Sequence, residues 1–105
     1  MEISFEDKDL EELIFTGKNR KYKKLSRDAK FLSNLIDVYN YIYAAENTKA
    51  LEAYSFLHYE KLKHIELSSV RIMNNRVERL LFKELENGIS ITIIELNEKH
   101  YGSKK

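Results

Sequence analysis

Apolar and polar positions along this chain change period once. Up to Tyr54 the apolar residues recur mostly at three- and four-residue spacing, the repeat of one helix face; from Phe56 onward they recur at every second residue, as in a half-buried strand. A short opening strand precedes the helical part, with Ile3 and Phe5 alternating with polar residues. Asp7 or Asp9 then caps a helix with an inner face of Leu10, Leu13 and Ile14, and Gly17 ends it, since glycine takes the left-handed backbone of a helix stop without strain. Ser26 is the predicted N-cap of a long second helix, where Leu32, Leu35, Ile36, Tyr39, Ile42 and Tyr43 share the core-facing side. Asn47 or Thr48 caps a short third helical piece holding Leu51 and Tyr54.

Three strands are predicted in the second half, around Val70 and Ile72, around Val77, Arg79 and Leu81, and around Ile89, Ile91 and Ile93. Asn74-Asn75 and Asn87-Gly88 separate them, and Asn-Gly is a strong hairpin signal because both residues accept positive φ. Helices followed by an antiparallel meander read as an α+β fold, with the opening strand joining the same sheet.

Length and composition narrow the picture. With 105 residues, 43% of them hydrophobic, the chain is expected to form one domain over 1–105. Without cysteine there are no disulfides, thiol nucleophiles or thiolate metal sites. His58, His64 and His100 lack the helical spacing of paired metal ligands, so neither metal nor cofactor is expected. No apolar run nears the ~20 residues of a spanning helix, and the acidic start is unlike a secretory signal, which together predict a cytosolic protein with no membrane partner. The formal net charge is only +1, but it is segregated. Glu2, Glu6, Asp7, Asp9, Glu11 and Glu12 stand against Lys8 alone near the start, whereas Lys18, Arg20, Lys21, Lys23, Lys24, Arg27 and Lys30 stand against the single acid Asp28. Such a basic segment fits phosphates and a solvated face equally well.

Candidate chemistry concentrates in the strands and just beyond the last one. Lys99, His100 and Tyr101 follow the apolar stretch ending at Leu96, and a histidine exchanges protons near neutral pH. Ser69, Arg71 and Met73 share one strand face, and Val70 and Ile72 the other. Arg79 shares a face with Val77 and Leu81, an apolar neighbourhood that requires a partner. An ion pair with Glu78, Glu84 or Glu95 and a role in anion binding explain it equally well. His58 and Tyr59 fit a polar edge strand, and Tyr39, Tyr43 and Tyr54 fit helix packing with hydroxyls at the rim.

Several stretches resemble the HigB branch of the RelE superfamily, the ribosome-dependent messenger-RNA endonuclease toxins of bacterial type II toxin–antitoxin pairs. They are Ser4-Phe5-Glu6-Asp7-Lys8-Asp9-Leu10-Glu11-Glu12-Leu13-Ile14-Phe15-Thr16-Gly17-Lys18, Leu57-His58-Tyr59-Glu60-Lys61-Leu62-Lys63, Ser69-Val70-Arg71-Ile72, Arg79-Leu80-Leu81-Phe82, and Ile94-Glu95-Leu96 followed by His100-Tyr101. The resemblance covers nearly the whole chain. It implies a microbial-ribonuclease-like fold, with helices on a twisted antiparallel sheet whose concave face receives RNA in the ribosomal A site. It also implies a helix-turn-helix antitoxin of the HigA type as partner, with operator DNA reached only through that complex.

By the same resemblance the reaction is metal-independent attack of a 2′-hydroxyl on the adjacent phosphorus. His100 is expected as acid or base, Arg79 and Arg71 as phosphate clamps, and Glu60 or Lys99 in the remaining proton transfer, for which Glu98 and His58 are alternatives. Tyr101, His58, Lys61, Lys63 and Arg76 are expected to contact the RNA. Many HigB toxins end in aspartate-tyrosine-histidine where this chain has Glu98-Lys99-His100, and His64 stands where relatives often have glycine. The alternative expectation is a catalytically weak member that binds an antitoxin and co-regulates transcription.

Overall fold

The computed structural model describes residues 1–98. The chain opens with strand β1 (Glu2–Phe5) and continues through helices α1 (Lys8–Thr16), α2 (Lys23–Ser26) and α3 (Ala29–Ala44). Two 3-10 turns, Thr48–Ala53 and Ser55–Leu57, lead into β2 (Glu60–Leu62), β3 (Leu67–Arg71), β4 (Arg79–Leu85) and β5 (Ser90–Asn97). The α+β class is as expected. The sheet order is β1-β5-β4-β3-β2. The sheet is mixed rather than antiparallel, because β1 runs parallel to β5. Hairpin connections force β2 to β5 to alternate in sense, whereas β1 reaches the sheet through helices and no turn sets its direction.

The first helix forms as its sequence dictates. Asp7 accepts from the Leu10 amide at 3.0 Å, Gly17 closes the end at φ 80°, and Leu10, Leu13 and Ile14 are buried. At α3 the cap is Asp28, which accepts from the Phe31 amide at 3.1 Å, and not Ser26. The Ser26 hydroxyl is committed to the preceding loop, donating to the Tyr22 carbonyl (2.9 Å) and accepting from the Asn19 amide (3.1 Å). The buried side of α3 is Phe31, Leu35, Val38 and Ile42, so the predicted face is turned. Leu32, Ile36 and Tyr39 are half-buried and Tyr43 is exposed. The apolar stripe spans more than half the helix circumference, so spacing alone cannot fix its centre, and the tyrosines take the wetter side.

These helical residues share one core with Val70, Leu80, Phe82, Ile91, Ile93 and Leu96 on one sheet face. Ile94 is the extra residue at an irregularity in β5, where Leu81 pairs with Glu95 but Phe82 pairs with Ile93. That insertion resets the alternation and lets Leu96 rejoin the core side after Ile91 and Ile93. Between β4 and β5 the Asn-Gly turn forms as predicted, with Asn87 at φ 58° and Gly88 at φ 87°. A Cβ at Gly88 would run into Thr48 Oγ1, so glycine is required twice over. Val77 precedes β4 instead of lying in it. Tyr54 and Phe56 are exposed, not packed under the helices, and form an aromatic cluster with Tyr41 at centroid distances of 5.0 to 5.7 Å.

Candidate anion-binding sheet face

One face of the sheet carries the core, so residues of opposite parity project from the other. Register lines them up in two rows across the strands. Glu60, Ser69, Leu81 and Glu95 are consecutive partners in one row, and Arg71, Arg79 and Asn97 in the next. Arg71 and Arg79 are thus directly opposed like charges, an arrangement that destabilises a sheet unless something negative lies between or beside them.

Part of that need is met within the chain. Arg79 Nη1 donates to Ser69 Oγ at 3.1 Å and lies 3.5 Å from Glu60 Oε1. The Arg79 side chain is 15% exposed and that of Glu60 54%, so the pair sits at the sheet surface with its carboxylate mostly in water. Arg71 is less well served. Its Nη1 reaches the Asn74 carbonyl at 3.3 Å, and its buried Nε has no hydrogen-bond partner among the described residues. A buried guanidinium nitrogen left unpaired is costly, and sites that tolerate one often do so for a ligand. Two guanidinium groups on opposed strands, with Cα atoms about 5 Å apart, match the width of a phosphodiester.

Three of the sequence-predicted residues, Glu60, Arg71 and Arg79, are brought together here from three strands. Glu60 is the glutamate that Arg79 meets. Glu78 instead holds Arg76, Glu95 accepts from Asn97, and Glu84 lies on the core side of the sheet. Lys61 faces that side too, 3.8 Å from Glu84, and so does not join the arginines. His58 is exposed at a left-handed position (φ 47°) and Lys63 is exposed beyond β2. Arg76 is half-buried and already committed to two acids. It bonds Asp28 Oδ2 at 2.6 Å and Glu78 Oε2 at 2.9 Å, and lies 4.7 Å from the Phe31 ring centre. Lys99, His100 and Tyr101 lie outside the described residues, just after the strand whose Asn97 pairs with Arg79.

A second polar cluster was not anticipated. Glu84 Oε1 accepts from Thr48 Oγ1 (2.9 Å), and Oε2 accepts from Ser68 Oγ (2.5 Å) and from the Tyr59 hydroxyl. The signal was in the parity, since Glu84 follows Leu80 and Phe82 at two-residue spacing and so faces the core side. Burial pushes its carboxyl up, but the bonds from Ser68, Tyr59 and Thr48 and the Lys61 ammonium outweigh burial and hold it below the usual range. Burial, then the bond to Glu84, pushes the Tyr59 hydroxyl up to about 12. Every hydroxyl is aimed at the one carboxylate, so the cluster serves to join the Thr48 turn, β3 and β4 rather than to hold a ligand.

That arrangement fixes a pH dependence. The folded Glu84 releases its proton more readily than the unfolded chain, whose value is 4.5, so its stabilisation is full above that pH and is lost as pH falls through the lower folded value. Thermal melts from about pH 6 down to about pH 3 are expected to show a shallower acid decline for Glu84→Gln than for the wild type. Asp28, also held low by its bond to Arg76, keeps some decline in both proteins. Equal acid slopes would remove Glu84 from the account.

Among the described residues no group of three or more histidines and acids is placed to hold a metal ion, and no helix is long and apolar enough to cross a membrane. Comparison with known protein families, with characterised proteins and with solved structures gives no match for this chain.

Proposed function

We propose that this protein is an RNA endonuclease of the HigB/RelE toxin type, cleaving messenger RNA on the ribosome with the β2–β4 face as its site. The observation that carries the reading is the opposed pair Arg71 and Arg79, with a guanidinium nitrogen unpaired among the described residues, on the sheet face not used for the core. The order of a strand, helices and a four-strand meander supports the reading at the level of the α+β class, while the parallel β1 departs from the antiparallel sheet that the resemblance implied.

In this reaction the RNA 2′-oxygen attacks phosphorus as its proton passes to a base, negative charge builds on the phosphoryl oxygens, and the 5′-oxygen leaves with a proton from an acid. Arg71 and Arg79 hold the phosphoryl oxygens where that charge grows. His100 is the proposed acid or base, and Glu60 is the carboxylate within reach of the clamp. Before RNA arrives, Glu60 partly neutralises Arg79, and a phosphate replaces it.

Inducible expression in bacteria, following growth and mapping messenger-RNA 5′ ends, tests this reading. Growth arrest with new cuts that vanish in His100→Gln supports it, whereas normal growth with folded protein at full abundance argues for the regulatory alternative. The exposed cluster of Tyr41, Tyr54 and Phe56 favours that second reading, as a surface for an antitoxin.

A further inference from the structure

We infer that the segment joining α1 to α3 is a second docking surface for the phosphate backbone of RNA, separate from the cleavage face. The identity of the partner as RNA rests on the nuclease reading. Between residues 18 and 30 the chain carries seven cations and one acid, and all seven cations are exposed. Asp28, the one acid, is engaged by Arg76. Lys21 lies 3.8 Å from Asp7. Lys18, Arg20, Lys23, Lys24, Arg27 and Lys30 make no ion pair among the described residues.

The backbone bearing these charges is held by neutral groups. Asn19 Oδ1 accepts from the Lys21 and Tyr22 amides at 2.8 and 3.2 Å, and Asn19 Nδ2 donates to Asp9 and Glu12 at 3.1 and 2.7 Å. Asp9 and Glu12 are therefore bonded to an amide, and Asp7, which accepts from the Tyr22 hydroxyl at 2.7 Å, engages only Lys21 among the segment's cations in an ion pair. A cleft of about 600 Å³ lies between α1 and this segment, lined by Lys18, Arg20, Lys23 and Arg27 together with Asp9 and Glu12 of α1. Cations on an ordered backbone bind a polyanion with little ordering cost.

Composition separates RNA from a protein partner. None of the large exposed apolar side chains, which include Phe15, Tyr43 and Ile89, lies within 18–30. A protein interface requires a desolvated apolar centre, whereas phosphate contacts do not. Position adds to the case. The Asp28–Arg76 pair joins the end of the segment to the connection between β3 and β4, whose strand ends carry Arg71 and Arg79.

The test is binding of the full-length protein to a fluorescent single-stranded RNA made uncleavable by 2′-O-methylation, titrated across a potassium chloride series. For Lys23→Gln/Lys24→Gln/Arg27→Gln the log affinity is expected to fall with log salt less steeply by about two, with binding about tenfold weaker or more near physiological salt. The charge-keeping Lys23→Arg/Lys24→Arg/Arg27→Lys protein is expected to bind as the wild type does, which excludes lost folding as the cause. An unchanged salt slope in the glutamine variant, or a poly-glutamate peptide that binds the wild type more tightly than RNA, would overturn the assignment. The two readings fail separately. Protein that binds RNA with this salt signature but leaves messenger RNA intact on ribosomes defeats the nuclease and not the surface.

Discussion

On the proposed nuclease reading, Arg79→Ala is expected to slow messenger-RNA cleavage by about 10²- to 10³-fold, the loss typical of removing one donor from a site that stabilises developing charge. The guanidinium sits between Ser69 and Glu60, opposite Arg71, the one other described cation in its row. Arg79→Lys keeps the charge but not the planar fork, and is expected to recover only part of the rate. Arg71→Ala falls in the same range, and the double variant loses less than the product of the two because both arginines hold one phosphate. Single-turnover cleavage on programmed ribosomes, with thermal melts as a folding control, gives the comparison. Wild-type rates in both single variants would remove this face from the reaction. Glu60→Gln adds a second discrimination, since a proton-transferring carboxylate loses its pH dependence on substitution and a mere counter-charge does not.

The largest loss of stability is expected at Phe31, not at the candidate site. Phe31→Ala removes a fully buried ring and leaves a cavity, a change that costs about 3–5 kcal/mol in well-packed cores. The same residue gives its amide to the Asp28 cap and its ring face to Arg76, and Arg76 in turn holds Asp28 and Glu78. Loss of the ring therefore loosens the start of α3 and the connection between β3 and β4 together. Domains of this size have about 5–15 kcal/mol in total, so Phe31→Ala is expected to be largely unfolded well below the wild-type melting temperature. Phe31→Leu, which refills most of the space, is expected to lose far less. Chemical denaturation of the three proteins measures the order, and equal midpoints for wild type and Phe31→Ala would contradict it.

What the sequence disclosed follows from how local each determinant is. The cap at Asp7, the stop at Gly17 and the turn at Asn87-Gly88 depend on a few adjacent residues, and all three form as read. The centre of the α3 face was not legible, because its apolar stripe is broad and the choice falls to Phe31 meeting Arg76, 45 residues away. The parallel sense of β1 was hidden for a similar reason, since no turn encodes it. At the candidate site, parity set Arg71 apart from Val70 and Ile72, but it grouped Arg79 with Val77 and Leu81 as an apolar face, whereas the core side of β4 is Leu80 and Phe82; the Glu60 contact needed the register of β2 against β3, which no nearby residues encode. The Glu84 cluster was visible in parity and went unread, because its hydroxyls come from three separate segments.

The pairing of β1 with β5 also has a consequence for how the protein is made. The first strand aligns Glu2 with Ser90 and Phe5 with Ile93, so β1 waits for β5 to be made before it has a partner. Contacts so distant in sequence form late and slow the final step of folding. At a synthesis rate of about 5–20 residues per second, the sheet stays open on that side for several seconds while the chain is being made. Until β5 arrives, the core lacks Ile91, Ile93 and Leu96, and Arg79 lacks the neighbouring strand that carries Asn97. A nascent chain thus carries Arg71 and Arg79 on an incomplete sheet until β5 has been made, and on the proposed reading its phosphate clamp is assembled only when that strand joins.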